Sequence, residues 1–383
     1  MLVDDIRLEA RDNEWELSGR VTMDRLDTEG LRIWFRFPGE YSTGDLDASP
    51  FLPGLLVTSM WWNEELTIDA PVSARLLVNA DEAMALLRSV YPTLERIGVS
   101  APSQVLSQGE ASTACLFSRG VDSWYSALTN LQKPDPRRPR LTHLVYVPSI
   151  DFMYSDENRG RSIAATRRAA EDVSCELVVL ETNLRHFTER FQHFGITFGS
   201  VLSAIGLALG FSHVVLASSV PIGEPNRSGS HPALDPLWST ERTAIVHDGA
   251  ETRRIDKARV LAEHREALTN LKVCFAADTE RNCGRCDKCL ITMIELHVAG
   301  VLDACPAFDR PLDPRAVARI RNPGWQAFFF SEAVDALGHG RLDIALRLAL
   351  GTMLLRHELA TEARRLRQLA KTRVEQVRAR RRG

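Results

Sequence analysis

Four cysteines lie within sixteen residues of one another in the segment VCFAADTERNCGRCDKCLITMIEL: Cys274, Cys283, Cys286 and Cys289. Two residues between neighbouring thiolates is a spacing that allows one turn to direct both sulfurs at a single tetrahedral metal ion. Gly284 lies inside such a turn. The cluster therefore predicts a metal site with Zn²⁺ as the preferred ion. An iron–sulfur cluster, which also takes four thiolates, is the alternative.

A second group of residues with chemical potential is Ser-Arg-Gly-Val-Asp-Ser at 118–123, which we call the 118–123 turn. It follows the apolar run ACLF and precedes a helical pattern. A strand that leads directly into a helix leaves backbone N–H groups without partners at the positive end of the helix dipole, and such a place attracts phosphate. Gly120 allows close approach to the backbone, and the hydroxyls of Ser118 and Ser123 can donate hydrogen bonds. Asp122 can hold Mg²⁺ or cap the helix.

The turn resembles the SGGxDS signature of the PP-loop ATP pyrophosphatases, a superfamily that includes GMP synthetase, asparagine synthetase and the tRNA thiolation and lysidine enzymes. The matching residues, which the resemblance implies bind ATP with Mg²⁺, are Ser118, Arg119, Gly120, Val121, Asp122 and Ser123. Arg119 replaces the glycine that the family usually has. Its side chain can add a charge-assisted contact to pyrophosphate, or it can disturb the loop if the position requires a positive φ. The turn is neither a Walker loop nor a GxGxxG fingerprint.

The order of the two motifs, with the cysteines after the turn, is similar to that in the 7-cyano-7-deazaguanine synthase family, which converts a deazaguanine carboxylate into a nitrile with ATP and ammonia. The resemblance covers about residues 112–300. The first hundred and last eighty residues have no counterpart in it. We therefore expect a related enzyme with a different acceptor.

The resemblance also implies roles for residues at the ends of later strands, because the carboxyl ends of parallel strands form the ligand crevice. Asp151 would lie near the adenosine, with a plain loop carboxylate as the alternative, and Ser218 near the reacting phosphate. Lys257 and Arg254, at a helix start, would contact pyrophosphate, with exposed helix charges as the alternative. The implied catalytic residues are Asp122, Arg119 and Lys257.

The segment 219–249 is long, polar and rich in proline and glycine. Long irregular loops inside α/β domains are often binding loops, although a solvated surface excursion is equally expected. Its candidate residues for recognition of an anionic acceptor are Glu224, Arg227, His231 and Arg242.

The chemistry that such a site performs best is attack on the α-phosphate of ATP by a carboxylate or amide oxygen, followed by displacement of AMP by nitrogen. We expect an AMP-forming ligase that joins carbon to nitrogen, acting on a small-molecule or modified-base carboxylate with ammonia or an amine. Two alternatives are a nucleotide-binding regulator silenced by Arg119 and a tRNA- or nucleobase-modifying enzyme. In the last case the N-terminal domain and the Arg-rich tail would dock a macromolecular acceptor.

The elements around these residues predict an α/β fold. The apolar runs ACLF, LTHLVYVPS, CELVVLET and SHVVLAS alternate with helical patterns, which is typical of a parallel sheet. The resemblance implies that this is a PP-loop (HUP-like) domain, which together with the metal-binding cysteines covers 112–310. A helical extension with a basic tail is predicted at 320–383. After Asn322 the pattern is helical.

Residues 1–100 are predicted to form a separate β-rich domain. In GLRIWFRF the apolar residues Leu31, Ile33, Phe35 and Phe37 alternate with Arg and Trp, as in a strand with one buried face. Similar runs predict strands near 15–21, 55–62 and 72–78, and a helix is predicted at about 81–96.

Composition limits the classes of function. A net charge of −3 and a pI near 6.4 do not suggest a nucleic-acid or membrane protein, although residues 356–383 are strongly basic. The N-terminal sequence is acidic and unlike a secretory signal, so we expect a cytoplasmic protein that contacts no membrane. Seven cysteines, an odd number, favour reduced thiols over a disulfide framework. The sequence leaves open whether the chain forms a homodimer.

Overall fold

The computed structural model describes residues 1–25, 30–109, 111–151, 156–191, 194–223, 229–274 and 280–380. The side chains of Asp151, Asp156, Phe194, Trp325 and residues 368–380 lie outside this description. The strands, in chain order, are β1 (Leu2–Arg11), β2 (Glu14–Thr22), β3 (Arg32–Pro38), β4 (Leu66–Ile68), β5 (Val72–Ser73), β6 (Val99–Ser100), β7 (Ser103–Gln104), β8 (Thr113–Leu116), β9 (Leu141–Tyr146), β10 (Glu176–Val179), β11 (Glu181–Thr182), β12 (His213–Ala217) and β13 (Ala244–Asp248).

The helices are, in the same order, α1 (Phe51–Trp62), α2 (Ala74–Val90), α3 (Val121–Gln132), α4 (Pro148–Asp151), α5 (Asp156–Glu171), α6 (Leu184–Glu189), α7 (Phe194–Leu207), α8 (Arg254–Ala262), α9 (Arg265–Asn270), α10 (Asp287–Val298), α11 (Pro314–Arg319), α12 (Ala327–Ala336) and α13 (Arg341–Arg380). Short 3₁₀ turns lie at Gly39–Tyr41, Asp235–Trp238, Leu302–Ala304 and Gly324–Gln326.

The chain forms two compact units. The first contains Met1–Lys272 and Glu280, and the second contains Val273, Cys274 and the chain from Arg281 onward. The first unit holds both large sheets, whose side chains share one hydrophobic core. The domain limits predicted near residues 100–112 and 310–320 stay predictions.

The N-terminal sheet has the strand order β11-β3-β2-β1-β4-β6. The pairs from β11 to β1 are antiparallel, whereas β4 and β6 run parallel to β1. In β3 the alternating side chains of Ile33, Phe35 and Phe37 are buried, which confirms the strand predicted from GLRIWFRF. The β-rich character of this part of the chain is therefore confirmed.

Two of the other N-terminal predictions are wrong. The run at 55–62 belongs to α1, and nearly all its side chains are buried. The prediction fails because a continuous apolar run fits a buried helix as well as a strand. At 72–78 only β5 is extended. Ser73 then caps α2 by accepting a hydrogen bond from the N–H of Leu76, so the helix begins seven residues before the predicted start at 81.

The second large sheet is entirely parallel, with the order β10-β9-β8-β12-β13. Its first four strands in chain order confirm the four predicted apolar runs. The order reverses at β8, which lies between β9 and β12, so the chain connects outward in both directions from this strand. Open parallel sheets bind ligands outside the carboxyl ends of the strands at such a switch point.

The fifth strand of this sheet was not predicted. β13 lies in the segment 219–249, for which an irregular loop is predicted, so that prediction is wrong for Ala244–Asp248. The strand is short and only partly buried, because it lies at the sheet edge. Both properties weaken the apolar signal on which strand prediction depends.

The second unit is helical apart from the cysteine segment. α13 packs on α11 and α12 and buries Leu346, Leu350 and Met353. The predicted helical character of the chain after Asn322 is thus confirmed for the described residues.

Candidate functional site

The 118–123 turn lies at the carboxyl end of β8, the strand at which the sheet order reverses. β8 ends at Leu116 and α3 begins at Val121, so the strand leads almost directly into the helix. Gly120 is the N-cap residue, and no side chain caps the helix. Asp122 therefore does not cap α3, contrary to one of its two predicted roles, and it lies in the first helical turn.

The two serines of the turn hydrogen-bond to each other and to the backbone. The Ser123 hydroxyl accepts from the N–H of Ser118 at 3.3 Å and donates to the carbonyl of Gly120 at 3.1 Å. The Ser118 hydroxyl accepts from the N–H of Gly120 at 3.4 Å. Among the described residues, the N–H groups of Val121, Asp122 and Ser123 donate to no acceptor. Three amides at the positive end of a helix are thus available to an anion.

Arg119 adopts a left-handed backbone conformation, with φ of 62°. The turn therefore requires a positive φ at the residue where the PP-loop signature has glycine. A side chain in this region costs about 1–2 kcal/mol relative to the usual conformations. The carbonyl of Arg119 accepts from the N–H of Lys272 at 3.0 Å, which helps to hold the strained turn.

The Arg119 side chain is buried, with 3% of its residue surface exposed. Its Nη2 atom donates to Glu280 Oε2 at 2.7 Å and to Ser162 Oγ at 3.3 Å. Ser162 in turn is hydrogen-bonded to the Tyr146 hydroxyl at the end of β9. Sequence reasoning missed Glu280, which is 161 residues from Arg119 and has no local signal.

The carboxylate of Asp122 pairs with two cations from α8. Asp122 Oδ2 is 2.5 Å from Arg254 Nη1, and Oδ1 is 3.4 Å from Lys257 Nζ. Arg254 and Lys257 are three residues apart on one helix, so they share a face. Because α8 follows β13 directly, the strand that sequence analysis missed is the one that positions both cations. Both cations therefore lie against the first turn of α3, whose amides at residues 121–123 are available to an anion.

Lys257 connects the turn to the neighbouring strand β12. It is 1% exposed, and its Nζ donates to the carbonyl of Ser218, which follows β12. The ammonium also lies 5.4 Å from the centre of the Tyr125 ring. Burial raises the pKa of the Tyr125 phenol, which keeps it neutral. The Ser218 hydroxyl donates to the carbonyl of Val220 at 2.9 Å, so the contact that links Ser218 to this cluster is its backbone oxygen.

Three other predicted residues have side chains that lie outside the described structure, and a fourth is placed elsewhere. Asp151 ends α4, and its side chain is outside the described structure. Glu224 and Arg227 are also outside it. Arg242 instead lies 3.7 Å from Asp47 and donates to the carbonyl of Ser107, which is a buried structural contact.

The four clustered cysteines converge in the second unit. All four Sγ atoms lie within 4.8 Å of one another, and the pairs Cys283–Cys289 and Cys274–Cys286 are each 3.8 Å apart. Four sulfurs at about 2.3 Å from one tetrahedral zinc are about 3.8 Å from each other, so the spacing fits a single ion. A cluster containing several irons and sulfides needs a wider separation between its thiolates. The cysteines could therefore hold a metal ion such as zinc.

Local structure prepares these thiolates for a metal. Gly284 has φ of 65°, which allows the turn after Cys283 to fold back, and the N–H of Cys286 donates to Cys283 Sγ at 3.3 Å. Cys286 also precedes the first residue of α10. Hydrogen bonds from neighbouring thiols, that of Cys289 foremost, hold the pKa of Cys286 below its ordinary value. Asn282 supports the site by accepting from the N–H of Cys274 at 3.1 Å.

A scan against protein-family models finds no matching family, and a search of curated proteins finds no significant match. Among the described residues, no helix combines the length and the apolar character that a membrane span requires. The residues brought together around the 118–123 turn are Ser118, Arg119, Gly120, Val121, Asp122, Ser123, Ser218, Arg254, Lys257 and Glu280.

Proposed function

We propose that the chain is an ATP-dependent adenylating ligase of the PP-loop (HUP-like) class. The observation that carries this proposal is the position of the 118–123 turn at the switch point of a parallel sheet, with free helix amides beside Arg254 and Lys257. Oriented amides and buried cations favour a polyphosphate over a single carboxylate, because they match several negative charges at once.

The proposed reaction has two steps. A carboxylate or amide oxygen of the acceptor attacks the α-phosphorus of ATP, and the bond to the bridging oxygen of the β-phosphate breaks, which releases pyrophosphate. A nitrogen nucleophile then attacks the activated carbon and AMP leaves. Lys257 and Arg254 would stabilise the charge that develops on pyrophosphate. The acceptor class we propose is a small-molecule or modified-base carboxylate, with ammonia or an amine as the nucleophile.

Mg²⁺ and Zn²⁺ would have separate places. Mg²⁺ commonly binds through one or two carboxylates together with substrate phosphates, and Asp122 offers the carboxylate here. When bound, the ion neutralises phosphate charge. Zn²⁺ would occupy the four-cysteine site in a structural role, because all four positions of a tetrahedral ion are filled by thiolates.

A nucleotide-binding regulator remains a second candidate, because the buried Arg119 already contacts Glu280 next to the turn. Such a protein would bind ATP without turnover. The two candidates therefore differ in whether pyrophosphate is released in a manner that depends on an acceptor.

The test is ATP–pyrophosphate exchange against a panel of carboxylates that includes deazapurine acids. We expect at least one acid to support exchange in the wild-type chain and to lose that support in Asp122→Ala. Asp69→Ala, at an exposed carboxylate of the first unit, is the matched control. ATP binding with no exchange for any acid would favour the regulator, and exchange unchanged in Asp122→Ala would remove the proposed site.

A further inference from the structure

The ion pair between Arg119 and Glu280 is incompletely satisfied. An arginine can form two parallel hydrogen bonds with a carboxylate, but here only Nη2 and Oε2 meet, at 2.7 Å. Arg119 Nε and Glu280 Oε1 are both buried and have no hydrogen-bond partner within the described part of the chain. A buried polar atom without a partner is costly, so this pair is poorly optimised as a structural contact.

The backbone at Arg119 adds a second unfavourable feature. The residue is held at φ of 62°, where glycine would be unstrained. The chain thus keeps a strained arginine, directly between Ser118 and Gly120, whose buried Nε has no hydrogen-bond partner among the described residues. Backbone strain clusters at ligand-binding and switch regions, so together with the unpartnered Nε it favours a role for Arg119 in binding.

The contact with the Glu280 carboxylate indicates that the Arg119 guanidinium can bind an anion. A carboxylate on Arg119 occupies the same donors that a phosphate oxygen would use. The Arg119 backbone is part of the turn whose next amides, at Val121 to Ser123, are available to an anion. A polyphosphate on those amides would approach Arg119 with more negative charge than Glu280 carries.

We propose that Glu280 is a displaceable internal anion, which holds Arg119 until the polyphosphate of a nucleotide takes its place. This inference rests on the proposed function, because it assumes that the 118–123 turn binds polyphosphate. It assigns Glu280 as a residue that sets the affinity of the site. Arg119 is then a ligand-binding residue and the replacement of glycine is functional.

The test is isothermal titration calorimetry of the 383-residue chain with inorganic pyrophosphate and with Mg²⁺-ATP. Glu280→Gln keeps the size of the side chain but removes its charge, so binding should become about tenfold tighter, as expected when one charge-assisted contact is released. Glu82→Gln, at an exposed carboxylate on α2, is the matched control and should leave the affinity unchanged. Circular dichroism establishes that each variant is folded.

A second substitution, at Arg119, distinguishes displacement of Glu280 from simple repulsion between Glu280 and the bound anion. In Arg119→Met, Glu280→Gln should give no gain, because the two side chains act through one contact. A gain that persists in Arg119→Met would show repulsion alone and would overturn the inference. Unchanged or weaker binding in Glu280→Gln, with pyrophosphate exchange intact in the wild-type chain, would overturn the inference and leave the proposed function standing. No binding of either probe to any variant would overturn both.

Discussion

The cysteine cluster and the 118–123 turn assemble their functional groups in opposite ways. The cluster takes its four thiolates from one segment of sixteen residues, with a glycine at the turn and a helix directly after it. The turn takes its partners from three distant places: α8, the end of β12 and Glu280. A cluster whose residues are close in sequence can be predicted from their spacing. A site assembled by the sheet can be predicted only if the order of the strands is known.

Metal removal should produce the largest effect on stability. It should act on the cysteine cluster and not on the 118–123 turn. Structural zinc contributes apparent binding free energies of about 10 kcal/mol or more in small zinc domains. We therefore expect Cys289→Ser or a strong chelator to lower the melting temperature and the helical circular dichroism signal. Cys175→Ser, at a buried cysteine outside the cluster, is the control.

Metal analysis of the purified chain should give about one zinc per chain. An iron-containing, coloured preparation would contradict the single-ion geometry of the four sulfurs.

The next largest effect concerns Lys257, which links the turn to Ser218. Lys257→Met keeps the length of the side chain in a fully buried place but removes its charge. We expect pyrophosphate exchange to fall by about 10²–10³, the scale of losing one preorganised electrostatic contact. Urea unfolding establishes that the variant is folded, and it should show a loss of stability because the buried Ser218 carbonyl and Asp122 carboxylate lose a partner. Lys133→Met, at an exposed lysine after α3, is the control, and unchanged exchange in Lys257→Met would contradict the proposed role.

A smaller effect is expected from placing glycine at position 119. Arg119→Gly removes about 1 kcal/mol of backbone strain but also removes the partner of Glu280. The two changes act in opposite directions on the free energy of unfolding, so the melting temperature should shift by only a few degrees. A loss comparable to that of Cys289→Ser would show that Arg119 is mainly structural.

The smallest effect is a pH dependence of the first unit. Burial lowers the pKa of His143 on β9, so the unfolded chain binds a proton there before the folded chain does. Stability contributed by the neutral ring is present above the ordinary histidine pKa of about 6.5 and falls as the pH drops below it. Urea unfolding at several pH values between 8 and 5 should show this decline, flattened in His143→Gln. An equal decline in the variant would assign the effect to other groups.

Much of this architecture was predictable from residue patterns. The alternation in GLRIWFRF gave β3, the four apolar runs gave four strands of the parallel sheet, and the spacing of the cysteines gave the cluster. The buried run at 55–62 was misread because a wholly apolar segment carries no period that separates helix from strand.

The turn was predictable only in part. The residues of the turn were identified from their types. A positive φ at Arg119 was named as the condition under which its side chain would disturb the loop. Glu280 was missed because its contact with Arg119 is created by tertiary folding across 161 residues. β13 was missed because an edge strand is half exposed and its apolar signal is weak. Without this strand, the sequence does not show why Arg254 and Lys257 reach Asp122.

The most direct test of the central claim is a crystal structure of the chain with Mg²⁺ and a non-hydrolysable ATP analogue. We expect phosphate oxygens on the N–H groups of residues 121–123, with Lys257 or Arg254 in contact and Glu280 moved away from Arg119. An analogue bound elsewhere, with these amides empty and the Arg119–Glu280 contact intact, would contradict it.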